Sequence, residues 1–203
     1  MKSLLVLAIL LVGLNSKAED IANPLLQYHR FQQLIVNQAV SMIDEDMMGN
    51  VEIMGLPWKT GESASYNLDM GFVKGTAVMK VREETAKAFW LDQDMDLGFM
   101  GQQKVEILID KNTGQILELI VNGQKQQPPE PGENEVEETR QDRVTVPKGT
   151  FDCIYARIKD IKKNQTSEAW INPSIVPIMG MIKQVSPGPF GNVTMELTDF
   201  VKK

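Results

Sequence analysis

The apolar residues change their spacing twice along the chain. Leu4 to Leu14 form an unbroken apolar run. Residues 22–48 then carry Phe31, Leu34, Ile35 and Met42 at helical spacing, with Ile43 beside the stripe. Asn23 can cap this segment, Pro24 suits its first turn, and Gly49-Asn50 closes it. The pattern predicts one helix with an apolar face that needs a partner. From Glu62 onward the period becomes two. SASYNLDM, FVKGTAVMKV, AFWLDQDM, KVEILID and QILELIV are short runs bounded by Gly, Asp and Asn. RVTVP, TFDCIYARIKD, SEAWINP, MIKQV and NVTMELTDFV follow. In the second run Val73, Ala77, Met79 and Val81 share one face. In the last, Val193, Met195 and Leu197 alternate with Thr194, Glu196 and Thr198. Such alternation predicts antiparallel strands with one wet face. The expectation is a mainly β (α+β) fold: a curved antiparallel sheet or half-barrel of about ten strands packed on one N-terminal helix.

Two segments break the pattern. The first is the start of the chain, where Lys2 precedes the apolar run and Ser16-Lys17-Ala18 follows it. A basic start, a short apolar stretch and small residues before a cleavage point define a secretory signal over residues 1–18. Residues 19–203 are then expected to form a single β-rich domain, exported by the general pathway and periplasmic if the cell has an outer membrane. The second is QKQQPPEPGENEVEETRQD at 124–142, acidic and rich in Pro, with almost no apolar content. Its composition predicts a flexible loop that buries too little surface to order itself.

Charge narrows the partners. The sequence carries 21 basic and 27 acidic residues, a net charge of −6, and the leader takes only Lys2 and Lys17 with it. So acidic a chain is poorly suited to nucleic acid or to an anionic membrane surface. No second apolar run reaches the length of a membrane-crossing helix. Cys153 is the only cysteine, so there is no internal disulfide; its place in FDCIYARIK suits a buried, inert thiol.

The inventory for catalysis is thin, and no enzymatic activity, metal or cofactor is expected. Asp92, Asp94 and Asp96 imitate the opening of a calcium loop. The positions that should hold Gly and Glu, however, are Leu97 and Gln103. On a strand these three carboxylates and Trp90 would point to one side, the solvent face. The one histidine, His29, falls in the predicted helix, and Cys153 lacks a Gly-rich oxyanion turn. Met42, Met47, Met48 and Met54 cluster without the His or Cys that a copper site would add; adaptable apolar lining is the simpler role.

RVTVPKGTFDCIYARIKD followed by SEAWINPSIVPIMGMIKQ resembles uncharacterised families of secreted bacterial proteins with a V-P-x-G-x-F-x-C strand motif. The matching residues are Val146, Pro147, Gly149, Phe151, Cys153, Trp170 and Pro177, with Gly71 and Gly75 upstream. The resemblance covers roughly residues 60–200. These families are similar in architecture to the periplasmic carriers of outer-membrane lipoproteins, LolA-like half-barrels that hold acyl chains inside. The resemblance implies a fold more than a function. A sheet wrapped incompletely on a helix would leave an apolar cavity. IVPIMGMIKQ at 175–184 would then be its rim, or would simply cap the core. The expected function is non-catalytic binding of a hydrophobic or lipidic ligand, with Trp90, Trp170, Ile178, Met179 and Met181 as ligand-binding residues. The alternative is an interaction module for a protein of the cell envelope.

Overall fold

Alternation of small and large apolar residues with polar ones drives each strand to bury one side, and one sheet collects them all. The computed structural model describes residues 56–128, 134–188 and 191–203. Its strands are β1 Ser63–Asp69, β2 Lys74–Glu84, β3 Ala88–Asp96, β4 Gln102–Asp110, β5 Ile116–Val121, β6 Gln124–Gln126, β7 Asn134–Val146, β8 Gly149–Asp160, β9 Gln165–Ile171, β10 Met181–Gly188 and β11 Gly191–Val201. They form an open antiparallel sheet of 11 strands in the order β6-β5-β4-β3-β2-β1-β11-β10-β9-β8-β7. Strands adjacent in sequence are neighbours within each half, as short hairpin connections favour. The one long-range pairing joins β1 to β11 and so the first half to the second.

Among the described residues there is no α-helix, only a 3-10 helix at Gly98–Met100. None of their helices is long and apolar enough to cross a membrane. The signal expected at 1–18 and the helix expected over 22–48 lie outside the described residues, as do His29 and the methionines at 42, 47, 48 and 54.

The acidic segment is the main departure from the sequence pattern. Residues 124–142 do not form one flexible loop. Gln124–Gln126 is β6, and Asn134 onward is the start of β7, which pairs with β8 along its whole length. Two physical reasons account for the difference. Asn122 (φ 50°) and Gly123 (φ 77°) make the tight turn that returns the chain from β5 into β6, and Asn-Gly is a strong hairpin signal. β7 is an edge strand, wet along much of its length, and charge on an edge protects it from unwanted pairing. Its charges are matched across the ladder: Arg157 meets Glu138 at 3.3 Å and Arg143 meets Asp152 at 2.8 Å.

The V-P-x-G motif is the turn that joins β7 to β8. Val146 pairs with Gly149, and Pro147-Lys148 are the two residues between them. The Lys148 N–H donates to the Leu197 carbonyl at 3.0 Å. β8 stands three places from β11 in the sheet, so this bond requires that end to curl inward over β11. The curl gives the sheet an inner face. Ala64, Tyr66 and Leu68 of β1, Met79 and Val81 of β2, Leu91 of β3, Ile107 and Ile109 of β4, and Met195 and Leu197 of β11 are all buried there. Burial of such side chains is the main stabilising contribution, on the order of 1.5–3 kcal/mol for each large one.

Candidate functional site

The loop between β9 and β10 lies on the inner face rather than out in solvent. Asn172 organises its base. Its N–H donates to the Gly180 carbonyl at 2.7 Å, and its own carbonyl accepts from Val176 at 3.0 Å. Its side-chain amide donates to the Asp152 carbonyl at 2.8 Å, and its Oδ1 accepts from the Ser174 N–H at 3.1 Å. From Val176 on the chain is apolar and turns inward: Val176, Ile178 and Met179 of the loop are buried, as are Met181 and Ile182 at the start of β10. The Trp58 indole N–H donates to the Ile178 carbonyl, and the Trp58 ring packs on Phe89 with centroids 5.8 Å apart. The Tyr66 hydroxyl donates to the Met181 carbonyl at 3.2 Å, and burial pushes its pKa up.

Ile178 has φ +66°. A β-branched residue in the left-handed region is strained and persists only where its surroundings hold it. Here the Trp58 indole and the close packing of Met179 and Met181 do so. In this arrangement Ile178, Met179 and Met181 cap the core.

The inner face is not wholly apolar. Gln93, Gln103, Gln184 and Ser186 are buried on it. Gln93 donates to the Met95 sulfur, at 3.8 Å. Gln184 lies on β10 between Met195 of β11 and Ala169 of β9, and its Oε1 is buried without a hydrogen-bond partner among the described residues.

Trp90 and Trp170 belong to the opposite face. Trp90 alternates with buried Phe89 and Leu91 on β3 and shares its side with Asp92, Asp94 and Asp96. Arg82 sits over its ring at 4.9 Å. The same guanidinium pairs with Asp92 at 3.0 Å and with Glu106, while Lys104 stands 3.8 Å from Asp92. The first carboxylate of the calcium-like run is therefore already countered by cations. Desolvation nevertheless raises the Asp92 pKa, and the two cations only partly offset it. Trp170 donates from its indole N–H to Asp142 at 3.0 Å and meets Tyr155 edge-on, centroids 5.1 Å apart. Arg140 lies over the Tyr155 ring at 3.7 Å, and the Tyr155 hydroxyl donates to Glu168 at 2.7 Å. Cys153 lies beside this cluster, donating to the Asp142 carbonyl at 3.4 Å; burial pushes its thiol up to about 11.

The five ligand-binding residues expected from sequence thus divide. Ile178, Met179 and Met181 come together on the inner face; Trp90 and Trp170 stand on the outer face and do not join them. The reason is the period of two, which sends Trp90 out with the aspartates and Trp170 out with Glu168. Trp58, Tyr66 and Gln184 were missed. Gln184 carried a signal, since it occupies an inward position of β10 by alternation. Trp58 carried none, being outside every strand. Among the described residues no group of three or more His, Cys, Asp or Glu side chains could hold a metal ion.

No family model matches the chain, and no curated protein matches it. Solved structures do overlap with it. The hypothetical protein CT021 of Chlamydia trachomatis shares 10% identity over 71% of this chain and 88% of its own, with a TM-score of 0.46. MucB shares 10% identity over 70% of this chain and 53% of its own, at 0.43. An exported-protein candidate with a YmcC-like fold from Bacteroides fragilis shares 13% identity over 74% and 100%, at 0.39. Overlaps this loose carry no functional argument.

Proposed function

We propose that the chain is an exported, non-catalytic binding protein of the cell envelope. Its ligand is a hydrophobic or lipidic molecule taken up against the inner face of the sheet. One observation carries this reading: an apolar loop, strained at Ile178, is seated over that face and held at its tip by Trp58. A loop under local strain is the part of a core most easily moved aside, because strain released on opening offsets part of the packing energy given up. Ile178, Met179 and Met181 would then pass from capping the core to lining the ligand, a role suited to flexible thioether side chains.

Native mass spectrometry of protein purified from its own envelope tests this, followed by organic extraction and lipid analysis. A stoichiometric lipid that leaves on extraction is the expected result. An apo mass, together with failure of the delipidated protein to take up any acyl probe, would refute it. An envelope protein captured in stoichiometric amount instead would move the function to partner docking.

A further inference from the structure

Resting on that reading, we propose that Gln184 is the polar contact of the binding face and that the ligand is a neutral amphiphile. Such a molecule has a long acyl chain and a hydroxyl or amide group, and carries no ionised carboxylate or phosphate next to Gln184. Gln184 keeps a relative exposure of only 8%, and its Oε1 has no hydrogen-bond partner among the described residues. It lies on β10 between Met195 of β11 and Ala169 of β9, with Ser186 two residues along the same side of the strand. A buried amide oxygen left unpaired is destabilising, and native proteins rarely retain one without a use for it. The acceptor is complemented by a donor, which a hydroxyl or an amide N–H supplies and an ester does not.

Charge sets the second condition. The other buried polar side chains among the described residues are Glu62, Gln93, Gln103 and Ser186, none of them cationic. Glu62 is already engaged, accepting from the backbone N–H groups of Lys59 and Lys203. An anionic head group placed beside Gln184 would be desolvated with no buried cation among the described residues to meet it, which is strongly unfavourable. A neutral head group bears no such cost.

The test uses the delipidated full-length mature protein and three probes: 1-monooleoylglycerol, methyl oleate and sodium oleate. Affinity is read from quenching of tryptophan fluorescence at pH 8, for the wild type and Gln184→Met. Monooleoylglycerol should bind the wild type about tenfold more tightly than methyl oleate, the upper end of what one hydrogen bond contributes. Oleate should be the weakest. Gln184→Met should remove the gap between the first two probes. Probes that bind with no gap, a gap that survives Gln184→Met, or oleate as the tightest would overturn the role of Gln184 and leave lipid binding standing. Failure of all three probes would overturn lipid binding itself. The wild-type ranking needs no variant, so it decides the matter even if Gln184→Met does not fold.

Discussion

Gly180→Ala probes how the loop over the inner face is held. Gly180 has φ +68°, a conformation that costs alanine about 1 kcal/mol or more relative to glycine. A Cβ there would lie 2.6 Å from both the Cα and the N of Pro173, and 3.0 Å from the Asn172 carbonyl carbon. These are backbone atoms of a rigid Asn-Pro segment, so the loop must shift rather than a side chain rotate. The shift strains the 2.7 Å bond from the Asn172 N–H to the Gly180 carbonyl, worth about 1 kcal/mol, and loosens the packing of its neighbours Met179 and Met181. The total loss should be about 3 kcal/mol. Gly123→Ala is the internal control. Its φ is +77°, yet nothing lies within 4 Å of an added Cβ, so only the conformational cost of about 1 kcal/mol applies. Urea unfolding at 25 °C separates the two. With unchanged m-values, Gly180→Ala should unfold roughly 1 M earlier than Gly123→Ala. Equal midpoints would show that the loop accommodates the methyl group, and the account of a seated, constrained loop would fall. The same variant bears on function. If the loop moves aside on binding, weakening its seat raises the open population and should tighten apparent affinity for an acyl probe.

Other outcomes follow from the same geometry. Trp58→Phe keeps the ring contact with Phe89 but leaves the Ile178 carbonyl without its indole donor. A loss of about 1–2 kcal/mol in urea unfolding is expected, and a loss near zero would remove Trp58 as the anchor. Cys153 should resist iodoacetamide at pH 8 in the folded protein and react readily in urea. Its pKa is raised on folding, so the stability it contributes is intact below about pH 9 and declines as pH climbs toward about 11; a stability curve flat across that window would contradict its burial. Deleting residues 124–142 removes β6 and most of β7, exposing the β8 ladder. The deletion variant should lose cooperative unfolding, whereas a stable, soluble product would mean that β7 pairing is dispensable.

Strand content was legible from the residues alone. Apolar alternation over β1 to β5 and β8 to β11 is a local property, because a strand with one buried side must repeat every two residues. Alternation also fixed the outward direction of Trp90, which its own aspartate neighbours announced. The Asn122-Gly123 hairpin signal is local too, but the acidic, Pro-rich composition that follows it points instead to a loop. Of β7 only the end in RVTVP was legible; its stretch from Asn134 to Asp142 was not, since an edge strand stabilised by cross-strand bonds and charge pairs needs no apolar stripe. Whether 175–184 capped the core or rimmed a cavity could not be read from its composition, because burial of a loop depends on what stands opposite. Folding alone brought Trp58 to the Ile178 carbonyl, 120 residues away in sequence, and Tyr66 to the Met181 carbonyl. It also left the Gln184 oxygen without a partner among the described residues, for hydrogen-bond satisfaction is a property of the neighbours that folding supplies and not of the residue.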